Sequence, residues 1–152
     1  MSTDDGADRR TFGRMRDGSW PDFKFNNRDP VYLQVVRHFK EWIVEGRIAA
    51  GQVIPSRREL AMLAKINPNT AQRAYREMEE QGLIVTEGNS PSRITSNGEV
   101  LKAIRSELMN EAVDLFVNSV KNLHVSAEEL MELLRAKLGE TEARSGEGEG
   151  HD

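Results

Sequence analysis

The chain has 152 residues, 38% of them hydrophobic and 30% charged, which is room for one small domain with a helical appendage. It has no cysteine, so disulfides, thiolate chemistry and cysteine-ligated zinc are excluded. No apolar run approaches the ~18 residues of a membrane span, and nothing near the start resembles a secretory signal, so the expected location is cytoplasmic.

The formal net charge of −4 speaks against nucleic acid only as a total. Residues 47–76 hold Arg47, Arg57, Arg58, Lys65, Arg73 and Arg76 against Glu59 alone, while residues 96–152 carry six basic against twelve acidic side chains. A basic segment followed by an acidic one suggests two jobs, with ordinary solvated helix surface as the plain alternative.

Residues 1–28 are poor in aliphatic side chains and are expected to be a largely flexible extension. The exception is the run from Trp20 through Phe23 to Phe25, whose aromatics suit a short edge strand or a clasp. Asp29 and Pro30 offer a cap and a proline at the first helical position. Tyr32, Val35, Val36, Phe39, Trp42 and Ile43 follow at helical spacing and make one apolar face. Gly46 can end this helix, and a loop over 49–52 leads to Val53, Ile54 and Pro55.

Ser56 with Glu59 three residues on is a capping box. The second helix it opens is expected to turn Leu60, Leu63 and Ala64 inward and to end near Lys65 and Ile66. Asn67 and Pro68 repeat the cap-plus-proline start. The third helix turns Ala71, Ala74, Tyr75 and Met78 inward and stops before Gly82. Two short helices joined by a turn, entered from a longer helix, match a helix-turn-helix. Residues 83–86 then read as a strand, 87–91 as a turn and 93–95 as the returning strand. The expected fold class is mainly α: a winged helix-turn-helix of three helices plus a β-hairpin wing, followed by a short two-helix dimerisation region.

That region starts with an amphipathic helix from about 99 to 121, carrying Val100, Ile104, Leu108, Leu115 and Phe116. Ser126 and Glu129 form a second capping box, followed by Leu130, Leu133, Leu134 and Leu138. Two such helices cannot bury their apolar faces completely on each other. A homodimer is the natural remedy, and folding back on the head as a monomer is the alternative. The expected organisation is an extension over 1–28, a DNA-binding domain over 29–96, a dimerisation region over 97–139 and a disordered tail over 140–152.

In a helix-turn-helix the N-terminal residues of the second helix meet base edges. Asn69, Thr70, Gln72, Arg73 and Arg76 are the polar, outward candidates. Gln72 or Asn69 suits adenine and Arg73 suits guanine. Ser56, Arg57 and Arg58 stand at the start of the preceding helix, where free amides and a guanidinium can hold phosphate. Asn67 is first a cap and only second a base contact. Arg76 is divided between phosphate contact and solvated surface, and Arg93 between phosphate contact and strand surface. Tyr75 is expected in the core.

These residues resemble a family. The run from Pro30 to Val35, then Gly51 through Pro55 to Ala61, then Asn67 to Ile84 looks like the N-terminal domain of GntR-type transcriptional regulators. The resemblance covers about residues 29–95. The Asn67-Pro68-Asn69-Thr70 start and the short two-helix C-terminal part are similar to the YtrA-like branch. The resemblance implies a dimeric repressor, often of a transporter operon, acting on a palindromic double-stranded DNA operator. It also implies DNA contacts at Arg58, Asn67, Asn69, Thr70, Gln72 and Arg73. Two positions depart from the family: Pro68 stands where an arginine is common, and the wing tip carries Glu87 and Pro91 rather than basic residues and two glycines.

No cofactor is expected. His38, His124 and His151 lack metal-ligand spacing. A small-molecule effector would find room only at the dimer interface. No enzyme is expected, since no nucleophile elbow, HExxH or phosphate-binding glycine loop appears. The rival of another class is a degenerate winged helix that serves as a protein-interaction module without specific DNA binding.

Overall fold

The computed structural model describes Trp20 and residues 22–148. The expected flexibility of residues 1–19 and the expected disorder of 149–152, with His151, lie outside the described residues. In chain order come α1 (Val31–Val44), α2 (Arg57–Ala64), α3 (Pro68–Glu80), β1 (Ile84–Val85), β2 (Arg93–Ile94), α4 (Gly98–Val120) and α5 (Ala127–Gly148). This is the expected mainly helical fold, with three helices, a short hairpin wing and two further helices. Among the described residues the contacts form two compact units, the first ending at Met109 and the second starting at Asn110, so α4 begins in the first and ends in the second.

The core of the first unit forms where the apolar faces of α1, α2 and α3 meet. Val35, Val36, Phe39 and Trp42 come from α1, Leu60 and Ala61 from α2, and Ala71, Ala74, Tyr75 and Met78 from α3. Leu83, Ile84 and Ile94 close it from the hairpin, and Ile104 from α4. The alanines matter for geometry: at Ala71 and Ala74, both fully buried, α3 has no bulk to hold it away from its neighbours. Lys40 on α1, with a side chain only 10% exposed, meets both carboxylate oxygens of Glu107 at 3.0 and 3.1 Å and ties the start of α4 to α1.

Local differences from the expected elements have physical causes. α1 begins one residue later than expected, with Pro30 at the cap and no side-chain cap bond. Asp29 serves the Gln34 amide instead: Gln34 Nε2 donates to the Asp29 carbonyl at 2.7 Å and to the Asn26 carbonyl at 3.1 Å. The Asn26 N–H donates back to Gln34 Oε1 at 2.8 Å, so one buried amide pins the entry to α1. Leu63, whose spacing predicts an inward position, is 43% exposed, because the buried stripe of α2 is Leu60, Ala61 and Ala64. The aromatic run forms a clasp and no strand: Trp20 and Phe23 meet Trp42 at centroid distances of 6.1 and 5.1 Å, and Phe23 meets His38 at 5.5 Å.

The segment read as a loop before Val53 pairs with the wing. Gly51 N–H donates to the Ile94 carbonyl at 3.0 Å, Ile94 N–H to Gln52 at 2.9 Å and Ile54 N–H to Ser92 at 3.0 Å, with a bridge between Val53 and Arg93. Gly51 makes the approach feasible. Its φ is +77°, and a Cβ there would lie 3.2 Å from Ser96 Oγ.

In the second unit, α5 opens with the expected capping box, Glu129 N–H on Ser126 Oγ and Ser126 N–H on Glu129 Oε2, both at 3.2 Å. It extends to Gly148, into the stretch expected to be a disordered tail. Glu140, Glu142, Ala143 and Arg144 are good helix formers, and the hydroxyls of Thr141 and Ser145 donate at 3.0 Å to the carbonyls of Lys137 and Thr141. Leu115, Val117, Leu133 and Leu138 are more than half exposed.

Tyr75 joins the elements at the centre. Its hydroxyl donates to the Pro55 carbonyl, and burial holds its phenol well above the ordinary tyrosine pKa, against the opposing pull of Arg57. Replacing Tyr75 by Phe leaves that buried carbonyl without a donor. The expected loss is about 1–3 kcal/mol in denaturant unfolding, at unchanged slope.

Candidate nucleic-acid interface

The helix-turn-helix is built by caps. Ser56 Oγ accepts the Glu59 N–H at 3.1 Å and Glu59 Oε1 accepts the Ser56 N–H at 3.4 Å, which starts α2. Lys65 ends it in the left-handed conformation, φ 56°, and the Ile66 N–H returns to the Ala61 carbonyl at 3.0 Å. Asn67 Oδ1 accepts the Asn69 N–H at 2.8 Å, and Pro68, which has no N–H to satisfy, takes the first position of α3. The reversal takes only Lys65, Ile66 and Asn67, and α3 packs on both α1 and α2.

With Ala71, Ala74, Tyr75 and Met78 buried, the opposite face of α3 is solvent-facing. Asn69, Gln72, Arg73 and Arg76 are exposed and Thr70 is half-buried. They recur at helical spacing, so they form one stripe. The first turn of α3 holds no acidic residue, and its acids Glu77, Glu79 and Glu80 gather at the far end. The leading end is therefore free of acids and carries the positive end of the helix dipole, with Arg73 and Arg76 following in mid-helix.

The expected site residues divide by what holds them. Among the described residues no hydrogen bond or ion pair engages the side chains of Arg58, Gln72 and Arg76. Ser56 and Asn67 are caps, yet the Ser56 hydroxyl hydrogen and the Asn67 amide donors remain to be given. Arg57 is directed into the fold. Its Nη2 donates to Glu79 Oε1 at 2.8 Å, its Cζ lies 5.6 Å from the Tyr75 ring centre, and Thr86 Oγ1 donates to the same Glu79 oxygen at 3.1 Å. Thr86 and Ser92 share a hydrogen bond of 2.6 Å, so this chain runs from α2 through α3 to the wing.

Arg93 is exposed on β2 and donates from Nη1 to the Gly51 carbonyl at 3.2 Å. The wing turn closes with the Ser90 N–H on the Glu87 carbonyl at 2.9 Å, and residues 87–91 are exposed. Arg73 lies over Tyr32, its Cζ 4.0 Å from the ring centre, a contact between helices that no local motif announces. Among the described residues no group of His, Asp and Glu is placed to hold a metal ion, and no helix is long and apolar enough to cross a membrane.

A three-helix head with a hairpin wing, presenting a polar, positively led helix, defines the winged-helix class of DNA-binding transcriptional regulators. The family model of bacterial regulatory proteins of the gntR family matches residues 31–94. The HTH-type transcriptional regulator YhcF of Bacillus subtilis is 33% identical over 111 residues, covering 73% of this chain and 92% of that protein. The transcriptional repressor YtrA of the same organism is 37% identical over 70 residues, 46% of this chain and 54% of its own. A solved GntR family transcriptional regulator from Listeria monocytogenes superposes with a TM-score of 0.66 at 28% identity, covering 74% of this chain and 98% of that one. The chain belongs to the GntR family: it is a DNA-binding transcriptional regulator, and that family is one of regulators rather than catalysts.

The division among the arginines is measurable without DNA. Arg57→Ala removes a half-exposed ion pair and is expected to lower stability by about 0.5–1 kcal/mol. Arg76→Ala, on open surface, is expected to stay within about 0.5 kcal/mol of the parent. Urea midpoints of the two variants check this.

Proposed function

We propose that the chain is a dimeric repressor of a transporter-type operon, in the YtrA-like branch, that binds a palindromic operator. The observation that carries the reading is the outer stripe of α3, whose Gln72 and Arg76 side chains are exposed and unengaged within the described chain. The relative named as the repressor YtrA supports the branch. Residues 29–96 are the head and 97–139 the dimerisation region. Gln72 or Asn69 reads adenine, Arg73 reads guanine, Asn67 is first a cap and second a base contact, and Ser56, Arg58, Thr70, Arg76 and Arg93 meet phosphate. Arg57 contributes from behind, by fixing α2 against α3 through Glu79.

Exposed Leu115, Leu133, Leu134 and Leu138 are the natural contact of a second copy, because an apolar helix face of this kind needs cover. A small-molecule effector at that dimer interface would shift the balance between two spacings of the recognition helices. The site of action is the cytoplasm. One observation favours a second reading: the exposed wing tip carries Glu87 and no basic side chain over 87–91, which suits a protein partner better than phosphate.

Selection of random duplexes by the full chain, at fixed salt, decides between the two readings. The repressor reading predicts an enriched inverted repeat. Gln72→Ala and Arg73→Ala are each expected to lose about 1–3 kcal/mol of discrimination at one position. Absence of enrichment above non-specific background supports the interaction module. In sedimentation the full chain is expected to run as a dimer, and a Leu134→Asp, Leu138→Asp double variant as a monomer.

A further inference from the structure

A long cationic side chain on an exposed helix face normally samples many rotamers, and ordering it on a target costs conformational entropy. Arg73 is exposed, yet it is not free. Its guanidinium carbon sits 4.0 Å from the centre of the Tyr32 ring, and Nη2 reaches Tyr32 Oη only at 3.4 Å. The manner of this restraint is the informative part. A carboxylate restrains an arginine by taking its N–H donors, as Glu79 takes Nη2 of Arg57 at 2.8 Å. An aromatic ring restrains it through the π face, and apart from the one long Nη2 bond to Tyr32 Oη the guanidinium donors are left to be given elsewhere. Those donors are what pair with the O6 and N7 acceptors of a guanine.

The tyrosine is itself firmly placed. It stands in the first turn of α1, half-buried against the core, with fully covered Val35 and Val36 following. The entry to that turn is pinned by the Gln34 amide, on the Asp29 and Asn26 carbonyls at 2.7 and 3.1 Å.

We infer that Tyr32, on a helix outside the helix-turn-helix, is a positioning residue that pre-orders Arg73 for one base pair and so sets the discrimination there; this rests on the reading of α3 as the helix that meets base edges. Tyr32 acts through Arg73. The consequence is local: loss of the ring face weakens recognition of one base pair per half-site and leaves the others, and the phosphate contacts, as they were.

The test measures binding of the full-length chain to its selected duplex and to duplexes altered at single base pairs, at fixed salt. Arg73→Ala identifies the base pair concerned. Tyr32→Leu, which removes the aromatic face, is expected to reduce discrimination at that pair about threefold to fivefold. Tyr32→Phe, which keeps the face, is expected to stay within about twofold of the parent. In an Arg73→Ala background Tyr32→Leu is expected to add nothing. In the DNA-free protein, nitrogen relaxation at Arg73 Nε is expected to show faster, wider motion in Tyr32→Leu than in Tyr32→Phe. That readout applies only to folded chains, and unfolding midpoints of each variant accompany it. Full discrimination in Tyr32→Leu, equal weakening on all duplexes, or an undiminished effect without Arg73 overturns the positioning role while leaving α3 as the reading helix. If Arg73→Ala alters discrimination at no position, the reading of Arg73 fails, and the role of Tyr32 fails with it.

Discussion

The buried phenol of Tyr75 is the constraint on which the rest of the head depends. Its ring is fully covered and meets Phe39 of α1 edge-on at 6.5 Å. Its hydroxyl is given to the Pro55 carbonyl just ahead of α2. One side chain of α3 therefore touches α1 and the entry to α2 at once. A buried tyrosine with a single acceptor in reach has one acceptable orientation, because any other strands both polar groups. That orientation fixes the rotation of α3 about its own axis, and the rotation decides which residues face outward. Ala71 and Ala74 beneath it set how deeply the helix lies.

From that rotation follows a separation of the basic residues into scaffold and surface. Arg57 serves the fold through Glu79, with Thr86 and Ser92 carrying the connection to the wing. Lys40 serves it through Glu107. Arg58 and Arg76 keep their donors, and Arg73 gives one Nη2 hydrogen to Tyr32 Oη in a long bond while the ring face restrains it. Charge counted along the chain treats these groups alike, but the first set is engaged within the fold while Arg58 and Arg76 carry no such partner among the described residues. The total of −4 is thus a poor guide to partners, since twelve of the acidic residues lie in 96–152, beyond the wing.

Much of this was legible in the residues because the signals are local. Capping boxes at Ser56 and Ser126, the Asn67–Pro68 start and the helical spacing of Ala71, Ala74, Tyr75 and Met78 each act within a few residues, and each appears where the pattern places it. What escaped depends on distant partners. The pairing of Gly51–Ile54 with β2 has no alternating pattern of its own and exists because the wing supplies an edge. The exposure of Leu63 reflects a stripe shifted to Ala61, which a short helix does not reveal by period alone. The ion pair of Arg57 with Glu79, 22 residues on, is likewise invisible in the sequence, because the two are near only in the folded chain. Tyr32 and Arg73, 41 residues apart, are joined the same way.

The central claim is that the outer stripe of α3 reads base edges in the major groove. Substituting 7-deazaguanine for single guanines in the selected operator tests it most directly, because this removes the major-groove N7 acceptor and keeps Watson–Crick pairing. The account predicts a loss of about tenfold at one guanine per half-site, a loss that vanishes in Arg73→Ala. Indifference to every 7-deazaguanine, together with sensitivity to inosine, which lacks only the minor-groove amino group, would contradict it.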